Sequence, residues 1–370
     1  MSAERDAERR AFLDRAGWRG AAVAPLPGDA STRSYARVSM NGRGAMLMDQ
    51  PQSAESPAAP ANATPDERRA LGYNAVARLA SGDVGRFVAV ANYLRDRGLS
   101  APEIYAADPV AGFALIEDLG DDLYADVLSR NGDEHELYTA AAKVLAELHA
   151  HGAPAMLSPD KPLHAYDETA QLAEIDLMTE WFIPHAMNRD ATADEVSEHR
   201  ALWREALQKT RATPPVFVHR DYHAQNLLWL PARTGVARVG LIDFQDAVAG
   251  SPAQDLMHLI EDARRDVSPE TSAAAVRTYL DAMRASGKPI DEDAFRAEMA
   301  TISGQRNARI AGIFARLYRR DGKPRYLAYL PRVWGHLNRD LEHPALANLK
   351  SWYDKTIPRE VRGRTEGAVN

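Results

Sequence analysis

The sequence contains no cysteine among its 370 residues, which excludes disulfides, thiolate metal sites and cysteine nucleophiles. It has no run of about 18 apolar residues, the length that spans a membrane as a helix, and its charged start lacks the apolar core of a signal peptide. Basic residues are not in excess, because 45 Lys and Arg stand against 52 Asp and Glu for a formal charge of −7. Bulk charge therefore argues against nucleic-acid binding. We expect a cytoplasmic protein with no membrane or nucleic-acid partner.

Two regions of different character divide the chain, whose length favours two lobes over a single core. The first 119 residues predict one main helix near 86–97 and short strands at 21–24, 35–40, 45–48, 102–107 and 113–116. Asn41-Gly42 separates two of these strands and is typical of a tight hairpin turn, which needs positive φ at both central residues. The residues after 120 predict mainly helices, at 134–150, 168–183, 194–212, 253–266, 270–286 and 292–318.

The segment 216–256 carries the residues with the clearest chemistry. It contains two apolar, strand-like runs, and each leads directly into acidic or amide side chains. Asp221 and Asn226 lie five residues apart after the first run, and Asp243 ends the second. Magnesium prefers hard oxygen ligands and leaves coordination positions for phosphates, while a separate carboxylate orients the attacking hydroxyl in phosphoryl transfer. The pattern therefore predicts a kinase.

The same segment resembles the active-site pattern of the aminoglycoside phosphotransferase and choline kinase superfamily, which shares the protein-kinase-like fold. The matching motifs are His219-Arg220-Asp221 with Asn226, Ile242-Asp243-Phe244, and Asp255-Leu256. The resemblance implies an α+β, bilobal architecture. A small β-rich, nucleotide-binding N-lobe at 1–119 would end in a hinge, and a larger, mostly helical C-lobe at 120–370 would carry catalysis and acceptor binding. It also implies ATP and Mg²⁺ as cofactors.

Other segments are similar to the anomeric amino-sugar kinases of cell-wall recycling, which phosphorylate N-acetylmuramate and N-acetylglucosamine at C1. These segments are 27–35, 47–51, 244–248, 263–267 and 312–331. The similarity implies a small-molecule sugar as acceptor. Only 12 residues separate Asp243 from Asp255, too few for the long segment with which protein kinases bind polypeptides. The alternatives are an aminoglycoside- or choline-type phosphotransferase and a nucleotide-binding pseudokinase that acts as an interaction module.

The resemblance assigns roles to the polar residues of the segment. Asp221 is the predicted catalytic base, which accepts a hydrogen bond from the sugar hydroxyl, although a single Asp at a strand end is often only a cap. Asn226 is the predicted neutral ligand of Mg²⁺, and Asp243 is the charged ligand between the metal and the phosphates. His219 is expected to fix the loop by hydrogen bonding to the backbone. Asp255 is expected to cap a helix and to brace the catalytic loop.

Nucleotide binding is predicted at two places in the N-lobe. Gly28, Ser31 and Thr32 lie between two predicted strands and would line the triphosphate with backbone N–H and hydroxyl groups, though an ordinary hairpin loop fits this turn equally well. Glu117 and Leu119 follow an apolar strand, where the resemblance places the hinge that binds adenine. An ordinary strand exit is the alternative there.

One departure from protein kinases concerns the cation that meets the phosphates. The strand at 45–49 has no lysine, and the helix at 86–97 has no glutamate to pair with one. Arg33 or Arg37 is expected to neutralise the phosphates instead.

Two arginines interrupt the apolar face of the helix predicted at 292–318. Arg306 and Arg309 share that face with apolar residues three and four positions away. Buried arginines need partners, so each either pairs with a core carboxylate or contacts the acceptor. Glu180, on the helix predicted at 168–183, is a further candidate substrate residue, as an acceptor for a sugar hydroxyl. Cationic acceptors would require carboxylates and aromatic rings, so the arginines favour the amino-sugar prediction.

Overall fold

The computed structural model describes residues 3–27, 33–51, 57–60, 62–80, 82–210 and 213–366. The predicted α+β class is confirmed, since a β-sheet dominates the N-terminal part and helices dominate the remainder. The chain forms two compact units, each assembled from separate stretches of sequence. Unit 1 comprises Met1–Val144, Pro154–His164 and Ala224–Ala247, and unit 2 comprises Leu145–Ala153, Ala165–His223 and Val248–Asn370. Among the described residues, no helix is long and apolar enough to cross a membrane.

The boundary between these units differs from the predicted boundary after residue 119. Residues 120–144, 154–164 and 224–247 belong to the unit that contains the sheet. Backbone pairing explains part of this difference, because Leu123 forms an antiparallel bridge with Leu228 and Ser100 forms a parallel bridge with Gly240. The assignment of nucleotide binding to 1–119 and of acceptor binding to 120–370 stays a prediction.

The regular elements are numbered here in chain order. The helices are α1 (Ala3–Arg15), α2 (Pro65–Leu71), α3 (Val84–Arg95), α4 (Tyr124–Ser129), α5 (Glu134–Ala150), α6 (Glu168–Leu177), α7 (Ile183–Met187), α8 (Ala193–Lys209), α9 (Ala253–Ile260), α10 (Pro269–Ala285), α11 (Glu292–Arg319), α12 (Leu330–Asp340) and α13 (Ala347–Thr356). The strands are β1 (Ala22–Pro25), β2 (Ser34–Met40), β3 (Arg43–Asp49), β4 (Ile104–Asp108), β5 (Phe113–Ile116), β6 (Met156–Ser158), β7 (Lys161–Pro162), β8 (Val216–Val218), β9 (Leu227–Trp229), β10 (Val239–Leu241) and β11 (Val248–Gly250). Two π-helical turns add Asn74–Arg78 and Met178–Phe182.

The described residues of unit 1 contain a five-stranded antiparallel sheet in the order β1-β2-β3-β5-β4. The predicted hairpin between β2 and β3 is confirmed, with Asn41 at φ 51° and Gly42 at φ 75°. Helix α1 packs against one face of the sheet, where the Phe12 ring stacks on the Phe113 ring at 5.4 Å between centroids. Val38 and other buried side chains of β2, β3 and β5 complete this core.

Helix α11 is the central element of unit 2 and contacts α6, α9 and α12. The helix predicted at 292–318 is thus confirmed as one long, largely buried helix. At Gly312, an added Cβ would lie 2.4 Å from the backbone carbon and oxygen of Leu177, so only glycine permits this approach. The helix predicted at 168–183 is confirmed in extent, but it is not one regular α-helix, because α6 ends at Leu177 and a π-helical turn follows it.

Candidate active site

The predicted metal ligands lie at one end of the β9–β10 pair in unit 1. Asn226 directly precedes β9, and Asp243 follows β10 by two residues. The pairing of Leu227 with Leu241 brings these two ends level. The Ile242 N–H donates to the Asn226 carbonyl oxygen at 3.2 Å, which closes this end of the pair. The structure therefore brings Asn226 and Asp243 to the same place.

This pair of side chains fits Mg²⁺. An amide oxygen and a carboxylate are hard donors, and Mg²⁺ takes few protein ligands because it keeps positions for water and phosphate oxygens. The Asp243 side chain is 38% exposed, so an ion can reach it. Within the ranges that the structure describes, no group of three or more His, Asp or Glu side chains is arranged to hold a metal. A magnesium ion bound here would therefore take the rest of its coordination from water and phosphate oxygens.

Arg33 contacts the predicted metal ligand. Its Nη2 donates to Asp243 Oδ1 at 2.7 Å, and its Nη1 donates to Gln245 Oε1 at 2.6 Å. The Gln245 amide nitrogen also donates to Asp243 Oδ1, at 3.0 Å. Burial lowers the pKa of Arg33, but electrostatic interactions with Tyr35, Asp243 and Asp246 hold that pKa above its ordinary value. A fully charged guanidinium thus lies against Asp243.

Arg37, the other predicted phosphate cation, contacts different carboxylates. Its Nε donates to Asp118 Oδ2 at 2.6 Å, and its Nη2 donates to Asp121 Oδ1 at 2.8 Å. These hydrogen bonds raise the pKa of Arg37 above its ordinary value. The structure therefore separates the two candidates, because Arg33 lies at Asp243 and Arg37 lies beside the predicted hinge.

The predicted hinge begins where β5 ends. The Glu117 N–H donates to the Glu103 carbonyl oxygen at 2.8 Å, and the Glu117 carboxylate pairs with Arg233. Leu119, by contrast, has backbone N–H and C=O groups without a hydrogen-bond partner in the described part of the chain. Of the two predicted hinge residues, Leu119 is the one with both backbone groups available to a ligand among the described residues. Three other predicted nucleotide-binding residues lie outside the described residues: Gly28, Ser31 and Thr32.

In unit 2, the predicted base Asp221 follows β8, which pairs with β11. The Asp255 carboxylate accepts hydrogen bonds from the N–H of His219 at 2.6 Å and the N–H of Arg220 at 2.9 Å. The His219 Nδ1 accepts one from the Asp221 N–H at 3.3 Å. The bracing roles predicted for Asp255 and His219 are thus present. The predicted capping role is wrong, because the N-cap residue of α9 is Pro252.

The loop before Asp221 rests on a buried ion pair. The Arg220 Nη2 donates to Glu174 Oε1 at 2.8 Å, and the Arg309 Nη1 donates to the same oxygen at 2.9 Å. The Tyr166 hydroxyl donates to Glu174 Oε2. Burial raises the pKa of Glu174, but the charges of Arg309 and Arg220 outweigh burial and hold it below its ordinary value. Of the two outcomes predicted for Arg309, the structure shows the core ion pair.

Arg306 lies one helical turn before Arg309, but its surroundings differ. It is 5% exposed, and its Nη1 donates to the Glu261 carbonyl oxygen at 2.8 Å and to Asn307 Oδ1 at 3.3 Å. Its Nε is buried without a hydrogen-bond partner, and it forms no ion pair with a carboxylate among the described residues. Burial lowers the pKa of Arg306 to about 10, although the charge of Asp262 acts in the opposite direction.

Two histidines without a predicted role, His223 and His258, lie close enough to Arg306 for its charge to affect their pKa values. Burial lowers the pKa of His223 and of His258, and the charge of Arg306 lowers both further. The charges of Asp262 and Asp221 raise the pKa of His223. Asp262 itself is only 1% exposed. We refer to Asp221, His223, His258, Asp262 and Arg306 together as the Arg306 cluster.

Glu180 does not belong to the Arg306 cluster. It lies in the π-helical turn Met178–Phe182, and its side chain is exposed. Partial burial and the charge of Asp176 raise its pKa, while Arg200 and Arg316 lower it. None of these neighbours is a member of the cluster, so the structure does not bring Glu180 to the other predicted substrate residues.

A strand-end carboxylate on a braced loop and an amide–carboxylate pair suited to magnesium are side chains of the kinds that phosphoryl transfer requires. Residues 22–290 match the phosphotransferase enzyme family, and the chain belongs to this family. The predicted superfamily membership is therefore confirmed.

Proteins of assigned activity are similar over most of the chain. An N-acetylmuramate/N-acetylglucosamine kinase of Caulobacter vibrioides is 47% identical over 365 residues, which cover 98% of this chain and 99% of the relative. A protein of the same name from Neisseria meningitidis serogroup B is 34% identical over 265 residues, which cover 68% of this chain and 75% of the relative. Among solved structures, a choline/ethanolamine kinase family protein of Mesorhizobium loti has a TM-score of 0.58 at 14% identity, covering 94% of this chain and 98% of that one. This structure confirms the kinase-like fold.

Proposed function

We propose that this protein is an ATP- and Mg²⁺-dependent kinase that phosphorylates the anomeric hydroxyl of N-acetylmuramate and N-acetylglucosamine. The observation that carries the proposal is the 47% identity with a kinase named for these two sugars, across 98% of the chain. The phosphorylated sugars would enter cell-wall sugar recycling in the cytoplasm, where ATP is available.

The nucleotide side of the reaction is assigned to unit 1. Asn226 and Asp243 would hold Mg²⁺, which neutralises the charge on the phosphate oxygens during transfer. Arg33 lies against Asp243 at 2.7 Å, and from this position its guanidinium would bind a phosphate oxygen of the nucleotide. The backbone of Leu119 would bind adenine, because its N–H and C=O groups have no other partner in the described residues.

The acceptor hydroxyl is assigned to Asp221. Its carboxylate would accept a hydrogen bond from the anomeric hydroxyl and aim the oxygen at the γ-phosphorus. It would take the proton as the new O–P bond forms, while the bond from the γ-phosphorus to the β–γ bridging oxygen breaks and ADP leaves. Positioning supplies much of the catalysis in such reactions. The hydrogen bonds from His219 and Arg220 to Asp255 support this role, because they hold the loop that carries the base.

Arg306 favours an anionic acceptor over a cationic one. It is a buried cation without a carboxylate partner among the described residues, and such a group gains from an incoming anion. N-Acetylmuramate carries a carboxylate on its lactyl group, whereas choline and aminoglycosides would bring a second positive charge. Arg309 is the weaker candidate, because Glu174 already pairs with it at 2.9 Å.

The proposal is tested by measuring ADP release with a panel of acceptors, with and without Mg²⁺. We expect turnover with N-acetylmuramate and N-acetylglucosamine, none with choline or an aminoglycoside, and none in EDTA. Turnover with the cationic acceptors only would favour the other members of the superfamily. Nucleotide binding without ADP release from any acceptor would favour a pseudokinase.

A further inference from the structure

The loop that follows Asp243 is tied to helix α3 by residues that the proposed mechanism does not use. In protein kinases, a lysine on the third strand pairs with a glutamate on the next helix, and this pair must be in place for catalysis. Here β3 contains no lysine and α3 contains no glutamate. Helix α3 instead directs Arg86 to the backbone of this loop.

The Arg86 guanidinium binds three backbone carbonyl oxygens at once. Its Nε donates to the Gln245 carbonyl at 2.9 Å, and its Nη2 donates to the Ala247 carbonyl at 2.7 Å. Its Nη1 donates to the Pro162 carbonyl at 2.9 Å. Arg86 is only 4% exposed, and charged hydrogen bonds that are shielded from water are strong. Two of the three bonds fix the loop that begins at Asp243.

Two neighbours of Arg86 hold the remaining residues of this loop. Phe87 stacks on Phe244 at 4.9 Å between ring centroids, and both rings are buried. Arg78 donates to Asp246 Oδ2 through Nη2 at 2.8 Å and through Nε at 3.1 Å. Every residue from 244 to 247 is therefore tied to α3 or to the π-helical turn before it. The loop cannot rotate without breaking several of these contacts.

We propose that Arg86 is the positioning residue of Asp243, and that it orders this loop through backbone carbonyls as the lysine–glutamate pair orders a protein kinase site. The inference rests on the metal role proposed for Asp243. Asp243 adopts a φ of 61°, which is unfavourable for a residue with a side chain, so contacts from outside the loop must maintain it. Arg86 itself contacts the loop backbone. Loss of Arg86 would therefore weaken Mg²⁺ binding by changing the orientation of the Asp243 carboxylate.

The test compares nucleotide binding in Arg86 variants of the full chain by calorimetry, with Mg·ADP and with ADP in EDTA. Arg86→Lys keeps the charge but lacks the planar fork that reaches three carbonyls. We expect its Kd for Mg·ADP to rise about 10- to 100-fold, the usual cost of removing support from a metal ligand. The Kd for ADP in EDTA should not change. Arg86→Met should raise the Mg·ADP Kd at least as much.

Arg97→Met is the matched control, because Arg97 lies just beyond the same helix and donates to the Tyr93 carbonyl at 2.8 Å rather than to the loop. Its Mg·ADP affinity should equal that of the wild type. If Arg86→Met fails to fold, Arg86→Lys decides the matter. A folded Arg86→Lys with wild-type Mg·ADP affinity overturns the proposal, and so does an equal loss of affinity with and without Mg²⁺. No sugar is present in this assay, so its outcome does not depend on the acceptor. If the proposed acceptors are wrong, ADP release fails with them in the acceptor panel, but the Mg²⁺-specific loss of ADP affinity in the Arg86 variants remains.

Discussion

The two loops that carry Asp243 and Asp221 are fixed by groups of opposite charge. In unit 1, guanidinium groups donate to the Asp243 carboxylate and to the backbone carbonyls that follow it. In unit 2, the Asp255 carboxylate accepts from the backbone N–H groups before Asp221. Each loop also contains a non-glycine residue at positive φ, Asp243 at 61° and Arg220 at 77°. Both conformations are costly and need such external support.

Exposure is the difference that matters between the two loops. Asp255 is 0% exposed and the Glu174 side chain is 2% exposed, whereas the Asp243 side chain is 38% exposed. A buried charge cannot lose its partner without a large penalty, but an accessible carboxylate can exchange a guanidinium for a metal ion. The loop of the proposed base Asp221 is therefore built to stay in place, and the proposed metal ligand Asp243 is built to change partners.

The largest expected effect comes from replacing the proposed base, Asp221. Asp221→Asn should lower kcat about 10²- to 10⁴-fold, the usual range for loss of a general base. The Kd for Mg·ADP should not change, because the metal ligands are intact. Steady-state ADP release and calorimetry measure the two quantities. Turnover close to that of the wild type would show that Asp221 is not the base.

The buried anchor of the same loop should matter mainly for stability. Glu174→Gln leaves Arg220 and Arg309 buried without their carboxylate, and breaking such a pair costs about 3–5 kcal/mol. Urea unfolding followed by circular dichroism measures this change in the free energy of unfolding. Because the pKa of Glu174 is held below its ordinary value, its contribution is present at neutral pH and is lost as pH falls through that lowered pKa. An unchanged unfolding free energy at neutral pH would contradict the buried ion pair.

The two arginines on α11 also differ in this way, because Arg309 pairs with Glu174 and Arg306 has no carboxylate partner among the described residues. Arg306→Leu should raise the KM for N-acetylmuramate about 10- to 100-fold, since a hydrogen bond to a charged group contributes about 1.5–3 kcal/mol. Arg309→Leu is the control, and it should lower stability with little effect on sugar KM because Glu174 loses one partner. N-Acetylglucosamine separates two possibilities for Arg306. A loss confined to N-acetylmuramate indicates its carboxylate, whereas an equal loss for both sugars indicates the shared ring or acetamido group.

The buried carboxylate of Asp255 predicts a pH dependence of stability. Burial raises its pKa to about 7, against 3.8 for the exposed group. The folded state therefore holds this proton more tightly than the unfolded state, and stability falls as pH rises from about 4 to about 7. Asp255→Asn removes this term, so the unfolding free energy of wild type relative to the variant should decline over that range. Parallel pH profiles for the two proteins would exclude the raised pKa.

The smallest effect is expected at the exposed edge of unit 1. The side chain of Arg37 is 35% exposed where it pairs with Asp118 and Asp121, and exposed pairs contribute about 0–1 kcal/mol. Arg37→Met should therefore leave stability and the KM for ATP nearly unchanged, whereas Arg33→Met should raise that KM clearly. Equal effects of the two changes on the KM for ATP would remove the distinction between them.

Local chemistry predicted several parts of the fold and of the site correctly. The Asn41-Gly42 turn depends only on residues that tolerate positive φ, and α11 follows from the spacing of apolar residues along one helix. The bracing by Asp255 followed from the resemblance rather than from local chemistry, because the N–H groups that it binds belong to residues 36 and 35 positions earlier in the chain.

Partners distant in sequence were not predictable. Nothing in the local sequence distinguishes Arg86 from an ordinary residue on an apolar helix. Its carbonyl partners at 245 and 247 lie about 160 residues further along the chain. Arg306 and Arg309 share one helical face, and only Glu174, from a different helix, distinguishes them. His258 lies three residues after Asp255 on α9, and this helical spacing was the one local signal for its burial near the site. The end of α9 at Ile260 was also not predicted, because the helical pattern in the sequence continued to residue 266.

Unit 1 is completed by residues that the ribosome makes late. Its first stretch ends at Val144, but two of the three carbonyls that accept from Arg86, and the ring that stacks on Phe87, belong to the stretch that ends at Ala247. At about 5–20 residues per second, synthesis takes roughly 5–20 s to pass from the first of these points to the second. During this time, a surface that is buried in the finished protein stays exposed to water. Unit 1 as a whole therefore cannot finish folding before residue 247 has been made, although the strands of its sheet all lie before residue 117, and a fragment that stops at residue 144 would lack the loop that Arg86 and Phe87 contact. Chaperone demand during translation should accordingly be concentrated on this interval.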